Sequence, residues 1–178
     1  EKTIVNVNGH KIGEDLTIMA GPCSVEDETS MLRLAEKIAK LGVPFFRAGA
    51  YKPRTGPYSF QGMGEEGLEV LQKVKDKLGL QIVTEVMDVE TLPGIVEVAD
   101  VLQVGTRNMA NFSLLKALGK VRKPVLLKRG MSATIDEFFA TIVTIIAKVD
   151  FTQEEEAHGV DAKFINNFKW INHISKRF

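Results

Sequence analysis

The feature that most constrains this chain is the alternation of short apolar runs with longer amphipathic stretches. In the stretches, apolar residues recur at helical spacing, as in the one that contains Met31, Ala35 and Ile38. Strands that are separated by helices form βαβ units, and such units build a parallel sheet. The sequence therefore predicts an α/β protein with five βα units. The predicted strands are residues 16–20, 43–46, 81–86, 101–104 and 125–127.

Local signals mark the ends of several elements. Asn8-Gly9 lies between two short apolar segments, which predicts a β-hairpin with a type I′ turn. Gly42 and Gly79 follow two predicted helices at the position where a left-handed cap favours glycine. Thr134 to Glu137 reads as a capping box at the start of a fifth helix. Residues 141–149 are rich in β-branched side chains and are compatible with a helix end or a strand.

These signals divide the chain into three parts. We expect an N-terminal hairpin over residues 1–13, a partial (β/α) barrel over residues 14–148, and a tail over residues 149–178. Apolar residues at helical spacing predict that the tail is largely helical.

The charge balance and the cysteine count limit the classes of partner. The chain has 23 basic and 23 acidic residues, and this balance argues against a general nucleic-acid or membrane-surface binder. One cysteine excludes an intramolecular disulfide and is typical of a reducing compartment. No apolar run is long enough to span a bilayer. We therefore expect a cytoplasmic protein.

Polar and charged residues follow each predicted strand. In parallel α/β folds the carboxyl ends of the strands meet at one edge, which is where active sites lie. Positive charge would be concentrated there, and it suits phosphate or carboxylate groups. We therefore predict a binding site for an anionic small molecule. The six cations concerned are Arg47, Lys52, Arg54, Arg107, Lys128 and Arg129.

Each of these residues also has an ordinary structural interpretation. A lone cysteine such as Cys23 is more often a small buried residue than a ligand. Glu85 could cap the next helix, and Lys128 and Arg129 could be two surface charges. A site is favoured because such residues recur at five successive strand ends.

Those same residues form motifs that resemble the 3-deoxy-D-arabino-heptulosonate-7-phosphate (DAHP) synthases, most closely the type I β class. The similarity covers residues 17–138 and includes motifs in the family's order and spacing. Related 3-deoxy-manno-octulosonate-8-phosphate (KDO8P) synthases typically carry Ala-Asn where this chain has Pro53-Arg54. The motifs are Gly21-Pro22-Cys23-Ser24, Arg47-Ala48-Gly49-Ala50-Tyr51-Lys52-Pro53-Arg54-Thr55, Thr84-Glu85, Gly105-Thr106-Arg107-Asn108 and Lys128-Arg129-Gly130.

The resemblance implies a (β/α)₈ TIM-barrel fold and an aldol-like condensation of phosphoenolpyruvate with erythrose 4-phosphate, which is the first step of aromatic amino acid biosynthesis. It implies that Cys23 ligates a divalent metal such as Mn, Fe or Zn, and that Lys52 transfers a proton. Glu85 would orient water or neighbouring cations. The implied ligands of phosphoenolpyruvate are Arg47, Lys52, Arg107 and Lys128, and those of erythrose 4-phosphate are Lys52, Pro53, Arg54 and Thr55.

The similarity ends before the family's later βα units, which supply further metal and phosphate ligands. Five units would leave two strands as open sheet edges. The tail could cover the gap, two chains could complete each other, or the chain could be a truncated product that folds poorly; of these we expect a homo-oligomer. Two alternatives to the synthase activity follow. One is an inactive barrel fragment that binds phosphoenolpyruvate or a homologous subunit, and the other is a KDO8P synthase-like activity.

Overall fold

The computed structural model describes residues 4–53, 56 and 58–146, and these form an N-terminal hairpin and an open parallel sheet flanked by helices. The strands are β1 (Val5–Val7), β2 (His10–Ile12), β3 (Met19–Ala20), β4 (Phe45–Arg47), β5 (Gln81–Val86), β6 (Val101–Val104) and β7 (Val125–Leu127). The helices are α1 (Glu28–Lys40), α2 (Glu65–Leu78), α3 (Leu92–Val98), α4 (Phe112–Leu118) and α5 (Ile135–Ile146), with a 3₁₀ turn at Thr106–Asn108.

The sheet has the order β3-β4-β5-β6-β7, and every neighbouring pair is parallel. Sequence order and spatial order therefore coincide, as in the wall of a (β/α) barrel. The predicted α/β fold with five units and a partial barrel is confirmed. Within the described residues the sheet does not close, so β3 and β7 are its edges.

Three of the five predicted strands have the predicted bounds, and two differ. Residues 16–18 were expected in the first strand, but Leu16 is 90% exposed and the ladder with β4 holds only Met19 and Ala20. This edge strand has one neighbour, so few backbone bonds extend it. The second strand begins at Phe45 because Pro44 has no N–H to donate to a ladder.

The hairpin packs against the concave face of the sheet. Asn8 and Gly9 both have positive φ, 48° and 92°, as a type I′ turn requires, so that prediction is confirmed. Val7 is buried with three sheet residues, Phe45, Val83 and Val101. The hairpin therefore covers the amino-terminal half of the concave face. The larger core lies on the convex face, between the sheet and the helices.

The start of α5 matches the predicted capping box. Thr134 donates its backbone N–H to Glu137 Oε2 at 2.7 Å, and Glu137 returns a backbone N–H to Thr134 Oγ1 at 3.2 Å. The helix continues to Ile146, so the helical alternative is correct for residues 141–146. The predicted tail over residues 149–178 lies outside the described residues. No helix in the described part of the chain is long and apolar enough to cross a membrane.

Candidate active site

The loops after β3 and β4 meet at the carboxyl edge of the sheet and bring Cys23 and Lys52 together. Val25 N donates to Gly49 O at 3.0 Å, which joins the two loops. Lys52 N donates to Gln61 O at 2.9 Å, which fixes the backbone there. The Lys52 ammonium then donates to Cys23 O at 2.7 Å and to Cys23 Sγ at 3.0 Å. Lys52 is buried to 95%, whereas Cys23 is exposed.

The electrostatics around Cys23 favour the thiolate. The hydrogen bond from Lys52 is the main cause of a lowered pKa for the Cys23 thiol, and the charges of Lys52 and Arg47 add to it. Partial burial opposes the effect. An accessible thiolate beside cations is the state in which a cysteine binds metal or reacts as a nucleophile.

A second network lies on the concave face, one layer above the apolar residues that the hairpin covers. Arg47 Nε donates to Gln103 Oε1 at 3.2 Å, and Gln103 Nε2 donates to Glu85 Oε2 at 3.2 Å. Arg47 Nη1 also faces the carbonyl oxygens of Pro22 and Cys23, at 3.5 and 3.4 Å. Glu85 and Gln103 are both buried. The structure therefore joins Arg47 and Glu85, which the sequence predicted separately.

Gln103 was not predicted as a site residue. It stands in an apolar strand, two positions after the inward-facing Val101. The same pattern occurs in β5, where Glu85 follows Val83. A polar residue within an apolar strand, at the period of two that keeps it on one face, was the signal that could have identified it.

Glu85 fits closely against the strand end of β6. A methyl group added at Gly105 would overlap Glu85 Oε1. Glycine at this position therefore leaves the space that the carboxylate occupies. The other oxygen, Oε2, accepts from Gln103.

The other predicted ligands lie at the same edge of the sheet but outside these two networks. Arg107 is exposed, and its Nη1 donates to Pro53 O at 2.8 Å, which ties the loop after β6 to the loop after β4. Lys128 is exposed directly after β7, and its backbone N–H donates to Val104 O at 3.0 Å. Arg54 and Thr55 lie outside the described residues. Their predicted contacts with erythrose 4-phosphate stay predictions.

The described residues do not form a metal site by themselves. Nowhere in residues 4–53, 56 and 58–146 do three His, Cys, Asp or Glu side chains group around one point. Metal sites of Zn²⁺ and similar ions commonly use three or four protein ligands. Cys23 supplies one suitable sulfur ligand, and any further ligands would have to come from outside the described residues.

Comparison with known proteins gives consistent matches. The model of the DAHP synthetase I family matches residues 2–158. A Thermotoga maritima protein named phospho-2-dehydro-3-deoxyheptonate aldolase is 50% identical over 139 residues, which are 78% of this chain and 41% of that protein. A Rickettsia typhi protein named 2-dehydro-3-deoxyphosphooctonate aldolase is 37% identical over 138 residues, which are 72% of this chain and 50% of that protein.

A solved structure of a Thermotoga maritima DAHP synthase is similar in fold as well. It superimposes with a TM-score of 0.78 at 46% identity, over 83% of this chain and 43% of that one. A truncated form of the Thermotoga maritima enzyme gives a TM-score of 0.75, over 83% of this chain and 54% of that one. The chain thus spans about half the length of the relatives it matches.

Proposed function

Because the chain belongs to the DAHP synthetase I family, as its motifs predicted, we propose that it carries the phosphoenolpyruvate half of a DAHP synthase site. The reaction is the condensation of phosphoenolpyruvate with erythrose 4-phosphate, which forms DAHP and phosphate. The observation that carries the proposal is the convergence of Arg47, Lys52 and Glu85 at the carboxyl edge of the sheet, beside the exposed thiol of Cys23.

The cations suit the charge of phosphoenolpyruvate. Its carboxylate and phosphate need fixed donors that are already oriented before the ligand arrives. Arg47 and Lys52 are both held by hydrogen bonds to backbone carbonyls, so little ordering remains to be done on binding. Arg107 and Lys128, exposed at the neighbouring strand ends, would close around the ligand from the other side.

Lys52 has the best position for proton transfer. The new carbon–carbon bond turns the aldehyde oxygen of erythrose 4-phosphate into a hydroxyl group, which requires a proton. The buried Lys52 ammonium donates to Cys23 O and Sγ, and Lys52 stands two residues before Arg54 in the chain. Glu85 is linked to Arg47 through Gln103 and would orient water or hold the cations.

A divalent metal at Cys23 remains part of the proposal, since the resemblance implies it. When bound, such a metal would polarise the aldehyde as a Lewis acid. Its other ligands would come from outside the described residues.

The decisive experiment combines the purified chain, phosphoenolpyruvate, erythrose 4-phosphate and Mn²⁺, and measures phosphate release. We expect release that is abolished by Lys52→Met and unchanged by Lys116→Met, which removes an exposed lysine from α4. Binding of phosphoenolpyruvate without release would favour the inactive-fragment alternative. Release with arabinose 5-phosphate in place of erythrose 4-phosphate would favour the KDO8P synthase-like alternative. If the chain shows neither binding of phosphoenolpyruvate nor release of phosphate, the proposal is refuted.

A further inference from the structure

Gln103 lies between two charged side chains, those of Arg47 and Glu85. It lies directly opposite Glu85 in the ladder between β5 and β6, and it is 2% exposed. Its amide oxygen accepts from Arg47, and its amide nitrogen donates to Glu85, each at 3.2 Å. Arg47 and Glu85 form no ion pair with each other. The amide is therefore the only described group that bridges them.

The chemistry of an amide suits this position. Asparagine and glutamine offer a neutral acceptor and a neutral donor on one planar group. A guanidinium and a carboxylate that can reach each other form a strong, often bidentate pair. Such a pair would occupy N–H donors of Arg47 and offset its positive charge. Fewer donors and less positive charge would then remain for a ligand.

The other contacts of Arg47 follow the same rule. Its Nη1 atom faces the backbone carbonyl oxygens of Pro22 and Cys23. The three oxygen atoms that accept from the guanidinium are therefore neutral, and its charge also acts on the neighbouring Cys23 thiol. No carboxylate within the described residues pairs with Arg47.

We propose that Gln103 is a positioning residue that acts as a neutral spacer: it keeps Arg47 from pairing with Glu85 and so leaves the guanidinium available to an anionic ligand. The identity of that ligand, phosphoenolpyruvate, rests on the proposed function. The spacer itself rests only on the contacts of Gln103, and the two can fail separately.

The first test measures phosphoenolpyruvate binding by calorimetry. Gln103→Leu removes both amide contacts at similar volume, and we expect it to weaken binding at least about tenfold, the effect of losing a hydrogen bond to a charged group. Gln72→Leu, which changes a half-buried glutamine on α2 away from the site, should leave binding unchanged. Thermal unfolding shows that each variant is folded before binding is compared.

A suppressor variant separates this role from ordinary packing. If Gln103→Leu lets Glu85 capture Arg47, then removing the charge of Glu85 should release it. We therefore expect Gln103→Leu with Glu85→Gln to bind more tightly than Gln103→Leu alone. Glu85→Gln alone serves as the reference for the second change. The spacer proposal is wrong if the double variant binds phosphoenolpyruvate as weakly as Gln103→Leu does. It is also wrong if Gln103→Leu binds phosphoenolpyruvate as tightly as the unaltered chain.

A ligand-free measurement decides the case even if phosphoenolpyruvate does not bind. The Nε–H resonance of Arg47 in ¹⁵N-labelled protein can be assigned by its loss in Arg47→Lys. In Gln103→Leu this proton should move downfield as its acceptor changes from an amide to a carboxylate. It should move back when Glu85→Gln is added. A resonance that is the same in Gln103→Leu with and without Glu85→Gln would refute the proposal, whereas absent binding with the expected shifts would refute only the proposed function.

Discussion

Replacing Asp100 by asparagine should destabilise the fold more than any other single charge removal that we predict. Asp100 precedes β6, and its side chain is 3% exposed. One oxygen accepts from Lys75 Nζ at 2.8 Å and from Asn8 Nδ2 at 3.0 Å, and the other accepts from Ile82 N at 2.8 Å. The carboxylate therefore joins the hairpin, α2 and β5.

The magnitude follows from these contacts. Asparagine keeps the shape of the side chain but turns one acceptor oxygen into a donor that faces another donor. It also removes the charge that pairs with Lys75. Losing one member of a buried ion pair costs about 3–5 kcal/mol. Because Lys75 is 27% exposed, water can solvate it in part, and we expect a cost of roughly 2–3 kcal/mol.

Urea unfolding followed by circular dichroism measures this cost directly. In a chain of this size each kcal/mol lowers Tm by about 2–4 °C, so a thermal scan should show a drop of roughly 4–12 °C. Asp76→Asn is the matched control, since Asp76 is exposed on α2 and, among the described residues, accepts only from Gln72. That control should change the free energy of unfolding by less than about 0.5 kcal/mol. If Asp100→Asn costs no more than Asp76→Asn, the reasoning is wrong.

Two further predictions concern the site. The pKa of the Cys23 thiol is lowered chiefly by the hydrogen bond from Lys52. Lys52→Met should therefore raise the pH midpoint of Cys23 alkylation by iodoacetamide. A midpoint that is unchanged or lower would contradict this cause. As Cys23 is the sole cysteine of the chain, no other thiol contributes to the signal. Gly105→Ala should displace the end of the Glu85 side chain and cost about 1 kcal/mol in urea unfolding, because the added methyl group overlaps the carboxylate. Gly94→Ala on α3 has room for the methyl group and should stabilise the helix by up to about 1 kcal/mol, so equal effects of the two changes would refute the overlap.

The sequence predicted the fold well where a signal is local. Strands β5, β6 and β7 have their predicted bounds because apolar runs there are ended by clear turn or charge signals. The hairpin turn at Asn8-Gly9 was equally readable, since that dipeptide favours the positive φ values that the turn requires. The strand containing Leu16 was predicted too long, because an apolar run shows that a strand is possible but not whether a neighbouring strand pairs with it.

The site was predictable as a set of residues but not as a network. The recurrence of charged residues at strand ends identified Arg47, Lys52 and Glu85. Their connection through Gln103 depends on the register of β5 against β6, which no local pattern specifies. The same holds for Asp100, whose partners come from elements distant in sequence. The catalytic and binding roles of all the predicted site residues remain predictions, including those of Arg54 and Thr55, which lie outside the described residues.

The hairpin that covers the concave face also shapes the electric field of the site. In β4, β5 and β6, the apolar residue that packs against the hairpin is followed two positions later by a polar residue on the same face of the sheet. Phe45 and Arg47 form one such pair, and Val83 and Glu85 form another. Arg47 thus lies next to an apolar layer of low dielectric constant. Such a layer concentrates the electric field of the charge toward the open carboxyl end of the sheet. An approaching anion is therefore drawn in from that side, and dissolved salt weakens the attraction by screening it.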